Sequence, residues 1–188
     1  MKKYRSIQLL LITWLLVLSL AACSLSGAEA QVSEDLESMR NIGFDQDTTE
    51  EIMGMLDEDG REDFADFLSK AGAYEFRITG STETDENTTI VTVRIRTYCF
   101  GREYLKAWNE YLEVKGEGDF DQAGFYEMMM ERLGDVEDKT FTQEVEVTCT
   151  DSDGDGVWET DTASNYPLRN AMLGGLLGEI ASLVDIGQ

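Results

Sequence analysis

The run of side chains in this sequence with metal-ligand spacing is Asp151-Ser152-Asp153-Gly154-Asp155-Gly156, acidic at alternate positions and then glycine. Calcium takes about six to eight hard oxygen ligands, and its loop sites draw on positions 1, 3, 5, 7 (a backbone carbonyl) and 9, closed by a bidentate glutamate at 12. In that register the ligands are Asp151, Asp153, Asp155, Val157 and Glu159, but position 12 is Thr162, with Asp161 one place early. A calcium site here would be weak or completed from elsewhere. The same residues are what a tight hairpin turn demands, because Asp and Gly tolerate positive φ. Both readings stand on the sequence, and Ca2+ is the one cofactor it suggests.

Other chemistries fall away. The chain contains no histidine, which removes Ser-His-Asp and Cys-His catalysis, imidazole zinc sites and histidine pH switches. Acid–base work would rest on carboxylates, Lys or Tyr. There is no Walker loop or dinucleotide-binding glycine fingerprint, and acidic runs such as Asp57-Glu58-Asp59 read as solvated helix faces and ends. With 38 acidic against 15 basic residues, the surface repels phosphate backbones, so nucleic acid is not an expected partner. A solvated, soluble surface is one consequence of this charge; attraction of cations or a basic partner is the other. Cys99 and Cys149 close two alternating runs, each on the apolar side, which suits a disulfide or two buried thiols. If those runs are antiparallel neighbours, the two cysteines lie at opposite ends of the pair.

The amino terminus is cationic at Lys2, Lys3 and Arg5, apolar from Ile7 to Leu20, and small at Ala21 and Ala22. That is the layout of a secretory signal, with an apolar run short for a membrane span. The sequence Leu20-Ala21-Ala22-Cys23 resembles the lipobox of bacterial lipoproteins. The resemblance implies removal of residues 1–22 and a diacylglycerol on the Cys23 sulfur, a double chain sufficient for stable anchoring. It places the protein outside the cytoplasm, on the outer face of the cell membrane, or on an outer-membrane leaflet if the envelope is Gram-negative. The mature chain would carry 12 basic and 38 acidic residues, a formal charge of −26.

Behind Cys23, residues 23–32 are small and polar enough to read as a tether, leaving residues 33–188 as a single domain. Ser33 to Arg40 gives a weak helical pattern. Thr48 with Glu51 reads as a capping box before Ile52, Met55 and Leu56. Phe64, Phe67, Leu68 and Ala71 recur at helical spacing, with Gly72 as a stop. The period then shifts to two: Tyr74, Phe76 and Ile78, a polar turn at Asp85-Glu86-Asn87, and Val91, Val93 and Ile95 predict a β-hairpin. Helical spacing returns at Tyr104, Trp108, Tyr111 and Leu112. After a break at Gly116 to Gly118 it resumes at Phe125, Met129, Arg132 and Leu133, capped by Asp119 or Asp121. Met128-Met129-Met130 could form a soft binding surface, or core filler with one exposed neighbour. Phe141, Val145, Val147 and Cys149 alternate on a third strand, and Val157-Trp158-Glu159 reads as a short fourth. A last helix begins near Pro167, with Leu173, Leu176, Leu177, Ile180 and Val184 as its buried stripe, and Gly174, Gly175 and Gly178 explained by close packing.

The expected fold is α+β: an antiparallel curved sheet of about four strands in two hairpins, against amino-terminal, middle and carboxy-terminal helices. This order, with Asp155-Gly156-Val157-Trp158 on the last hairpin and Tyr74-Glu75-Phe76 opening the first, resembles small Gram-positive lipoproteins with a nuclear-transport-factor-2-like or cystatin-like domain. Many members of that group have no assigned activity. The leading expectation is a non-enzymatic, lipid-anchored domain that binds a protein or small ligand at the cell envelope. One alternative is a calcium-dependent adhesion or structural module using residues 151–162. The other is a carboxylate-based enzyme in a cone-shaped pocket. A concave sheet lined by Phe76, Val93, Val145 and Trp158 could hold an apolar ligand, or be a filled core.

Overall fold

The computed structural model describes residues 26–40, 46–115 and 120–186. Cys23, the signal segment, Gly116 to Gly118 and Asp119 lie outside the described residues, as does the side chain of Val184. Within them are seven helices and one four-stranded antiparallel sheet in the order β1-β2-β3-β4, open at both edges. No described helix is long and apolar enough to cross a membrane.

The sheet is β1 (Glu75–Asp85), β2 (Thr88–Thr97), β3 (Phe141–Thr150) and β4 (Glu159–Thr160). The alternation sorts its faces as the sequence predicts. Val93 pairs with Ile78 and Val145, and Val91 with Val147, so the centre of one face is apolar, with Thr89, Thr97 and Gln143 toward its ends. The opposite face is polar and solvated, and carries ion pairs between Arg94 and Glu144 (2.8 Å) and between Arg96 and Glu75 (3.2 Å).

Two helices cover the apolar face. Helix α1 (Gly27–Met39) contributes Ala28, Val32 and Leu36, and α6 (Tyr166–Met172) contributes Leu168, Ala171 and Met172, all buried. Helix α1 starts inside the stretch expected to be a tether. Ser26 is its N-cap, closing a capping box with Glu29, and of the small residues read as linker Ala28 is buried against the sheet and Gly27 lies under Trp158. Residues 27–32 are thus part of a helix packed on the sheet.

The remaining helices, α2 (Gln46–Met55), α3 (Glu58–Ala71), α4 (Phe100–Lys115), α5 (Gln122–Gly134) and α7 (Leu176–Ile186), share a second core built on Phe64, Phe67, Phe100, Tyr111, Phe125 and Leu133. Asp57 caps α3, Gly72 ends it, and Asp121 caps α5. Met129 and Met130 are buried with Met128 half-buried beside them, so the methionine run is core filler with one partly exposed neighbour.

Three further expectations are corrected. Helix α2 already runs from Gln46, so Thr48 and Glu51 fall inside it rather than at its cap. The fourth strand is Glu159–Thr160, two residues late, because Val157 projects into solvent (64 % exposed) and pairing starts only where Glu159 meets Thr150. The final helix is two helices. The break at Leu173 to Gly175 carries φ of +55° at Gly174 and +86° at Gly175, left-handed values that a continuous helix cannot contain. Beyond it Leu176 is buried but Ile180 is exposed, so the stripe is shorter than its spacing suggests.

Candidate functional site

The acidic loop adopts an aspartate-anchored turn. Asp151 is buried, its own N–H donates to the Asn87 carbonyl (2.8 Å), and its carboxylate accepts the N–H groups of Asp155 (3.2 Å) and Gly156 (3.0 Å). The Asp155 carboxylate accepts the Val157 N–H (2.9 Å). Gly154 and Gly156 have positive φ, the reason for their identity. Asp153 and Glu159 project outward. Asp161 accepts from the Thr148 N–H and Asn165, while Thr162 donates to Asp35. Each carboxylate is committed locally or faces solvent, and among the described residues no group of three acidic or thiol side chains converges as a metal cage.

These bonds predict what removal of Asp151 does. Asp151→Ala should cost about 1–2 kcal/mol, the worth of charged hydrogen bonds to two backbone donors, and lower Tm by about 2–4 °C per kcal/mol. Calcium and magnesium should shift the wild-type melt equally. A saturable calcium-specific rise, lost in Asp153→Asn, would reverse this assignment.

Both cysteines are free thiols. Cys149 pairs with Thr89, whereas Phe141 pairs with Thr97, just before Cys99. Eight residues of ladder, roughly 27 Å, separate these ends, far beyond the ~7 Å Cα limit for a disulfide. Burial, followed by the charges of Asp161 and Asp35, pushes the Cys149 thiol up to about 11. At pH 8 iodoacetamide should therefore modify Cys99 in the native chain and leave Cys149 unmodified until denaturant is added. Peptide mapping that finds Cys149 modified without denaturant, or unmodified with it, would contradict this.

The concave sheet face is filled. Val93 and Val145 are buried in the core beneath α1 and α6, with Phe76 and Trp158 packed against it. An open concavity lies elsewhere among the described residues, in a cleft of about 1050 Å³ among α3, α4, α5 and the segment leading to β3. Its walls carry ten carboxylates, among them Asp59, Asp63, Glu127, Glu131 and Asp135, against two guanidiniums. Both guanidiniums are engaged: Arg132 bonds Glu110 through Nε (2.9 Å) and also Nη2, and Arg102 bonds Glu103 (3.0 Å). Burial opposes ionisation of Glu103, but hydrogen bonds from Lys106 and Arg102 outweigh it and hold its carboxyl low. Asp63 goes the other way: partial burial, then the charges of Asp135, Glu131, Asp66 and Asp59, raises its carboxyl above the usual range.

Helix contacts set this geometry. Lys70 Nζ donates to the Gly134 carbonyl, and Gly134 lets α5 approach α3 so closely that a Cβ there would lie 3.0 Å from the Asp63 carbonyl oxygen. The cleft was missed in sequence because its acids are spread over three helices and look like ordinary solvated faces. A signal did exist. Asp59 and Asp63, and Glu127, Glu131 and Asp135, are like charges four residues apart, a spacing that destabilises an isolated helix.

Sheet, covering helices and helical layer together define an α+β domain whose open concavity is acidic. No protein-family model and no curated protein matches the chain. Among solved structures it is similar to the Bacillus subtilis "putative lipoprotein (ycdA)", at 15% identity and a TM-score of 0.37, covering 78% of this chain and 48% of that one. The chain thus spans about half the length of that structure, and at this distance the likeness assigns neither fold family nor activity.

Proposed function

We propose that the protein is a lipid-anchored binding domain, held at the outer face of a bacterial membrane through Cys23, whose acidic cleft receives a cationic partner. The observation that carries the binding role is the cleft: ten carboxylates in one concavity whose two arginines are already paired. Like charges gathered in one concavity raise the local concentration of counter-charge. Partial burial first and then the neighbouring carboxylates raise the Asp63 carboxyl, and an incoming ammonium or guanidinium would offset the second of these. Anchoring rests on the lipobox Leu20-Ala21-Ala22-Cys23. Membership of the nuclear-transport-factor-2-like group would add no activity to this reading, since function lives in the site.

The test is calorimetric titration with a decalysine peptide. Asp63→Asn combined with Glu131→Gln and Asp135→Asn should weaken binding by about tenfold or more, as loss of close charge pairs does. Glu34→Gln combined with Glu83→Gln and Glu146→Gln, all exposed and outside the cleft, removes the same three charges and should leave it unchanged. Equal loss in both variants would mean only diffuse attraction to the overall charge, and the cleft would lose its role.

A further inference from the structure

The start of α1 is fastened to one end of the sheet. Glu29 accepts a hydrogen bond from Ser81 of β1 (2.7 Å), and Gly27 lies so close under Trp158 that a Cβ there would stand 2.7 Å from the indole Nε1. That end carries the β1–β2 turn and the 151–157 loop, joined by the Asp151 N–H to the Asn87 carbonyl. From it α1 runs back to Leu36 and Arg40, which meet Tyr74 at the start of β1. There the helical layer joins the sheet: Gly72 abuts Arg40, Gly174 abuts Tyr98, and Thr140, next to Phe141 of β3, lines the cleft. Attachment end and cleft are thus separated along the strands, and the ten residues of β2 extend roughly 33 Å.

Three peptide steps separate Cys23 from Ser26, a reach of at most ~11 Å. If Cys23 carries the lipid, as proposed above and on which this inference rests, the bilayer surface must lie against the attachment end. Val157 there is 64 % exposed, and the half-buried Trp158 follows it. Tryptophan suits a headgroup layer, with an apolar body and a polar N–H. An anionic leaflet would repel the cleft, but it would equally repel the exposed Asp85, Glu86, Asp153 and Asp155 of the tip, so the short tether and not charge sets the orientation. We infer that the domain stands on the membrane by its hairpin-tip end, with Val157 and Trp158 against the phospholipid headgroups and the cleft held outward.

The mature chain holds two tryptophans, Trp108 in the helical layer and Trp158 at the tip, since Trp14 lies in the signal segment. The full lipidated protein, its mass first measured for the diacylglyceryl group, is placed in phosphatidylcholine vesicles carrying a headgroup spin-label quencher. Emission from Trp158, isolated by Trp108→Phe, should be strongly quenched; emission from Trp108, isolated by Trp158→Phe, should not. A Gly/Ser spacer inserted between Cys23 and Ser26 should restore emission of the otherwise wild-type chain, a readout needing no core substitution. Lipid present with Trp158 unquenched, or with both tryptophans equally quenched, overturns the orientation and leaves the anchor standing. Absence of lipid from Cys23 overturns the anchor itself, and the orientation with it.

Discussion

Replacing Gly174 with alanine should destabilise the protein by about 3–5 kcal/mol, combining left-handed backbone strain with an overlap that cannot relax. A Cβ at this position would lie 1.8 Å from the Tyr98 carbonyl oxygen and 3.0 Å from the Phe100 nitrogen, both backbone atoms with no rotamer to change. The carbonyl of Gly174 also accepts the Gly101 N–H (3.1 Å), so the corner between α6 and α7 and the corner between β2 and α4 touch main chain to main chain. Two glycines with the same backbone handedness provide the comparison. At Gly154 (φ +68°) a Cβ meets open space, and at Gly175 (φ +86°) it touches only the Phe141 ring edge at 3.4 Å. Alanine at Gly154 should cost only the left-handed penalty, about 1–2 kcal/mol. Urea denaturation of the three variants separates strain from overlap. Equal losses at Gly154 and Gly174 would show that the two corners do not meet as described.

That corner also marks how far the sequence could be read. Strands β1, β2 and β3 were legible because one covered face imposes a strict period of two, and a slip of one residue would bury Arg94 and expose Val93. Helices α3, α4 and α5 were legible because Phe64, Phe67, Tyr104 and Phe125 repeat at helical spacing over several turns. The amino-terminal helix was legible only in its second half, from Ser33: its first half presents Ala28 and Val32 to the sheet, a stripe too sparse to outweigh its small and polar content. The glycines after Leu173 were rightly tied to close packing, but the approach is of a turn, and spacing alone cannot distinguish a helix with weak positions from two helices. The candidate site was hidden for a related reason. Charged helix faces look alike whether they meet water or one another, and only tertiary packing brings Asp63 beside Asp135. In the acidic turn, conspicuous in sequence, Asp151 accepts the Asp155 and Gly156 N–H groups, a use of its carboxylate that residue spacing does not reveal.

Tyr74 joins the two layers, and its removal should have the second large effect. It is 1 % exposed. At the end of α1 the Arg40 N–H turns to the Glu37 carbonyl (3.3 Å), and the Leu36 carbonyl takes its hydrogen bond from the Tyr74 hydroxyl. Arg40 Nη1 in turn donates to the Tyr74 carbonyl (2.6 Å), and its guanidinium stands 5.0 Å from the centre of the tyrosine ring. Tyr74→Phe keeps the packing and leaves one carbonyl unsatisfied, which should cost about 1–2 kcal/mol. Tyr74→Ala adds a cavity and should cost about 3–5 kcal/mol. Burial, opposed by Arg40, pushes the Tyr74 phenol up to about 12 from an ordinary 10.0. Because the folded value is the higher, the native state holds the proton more tightly, and the stability this confers is complete below pH 10 and lost between pH 10 and 12. Wild-type stability should therefore fall across that window more steeply than that of Tyr74→Phe. Parallel alkaline slopes would mean that the hydroxyl is not held as the fold requires, and Tyr74→Phe would then cost almost nothing at neutral pH.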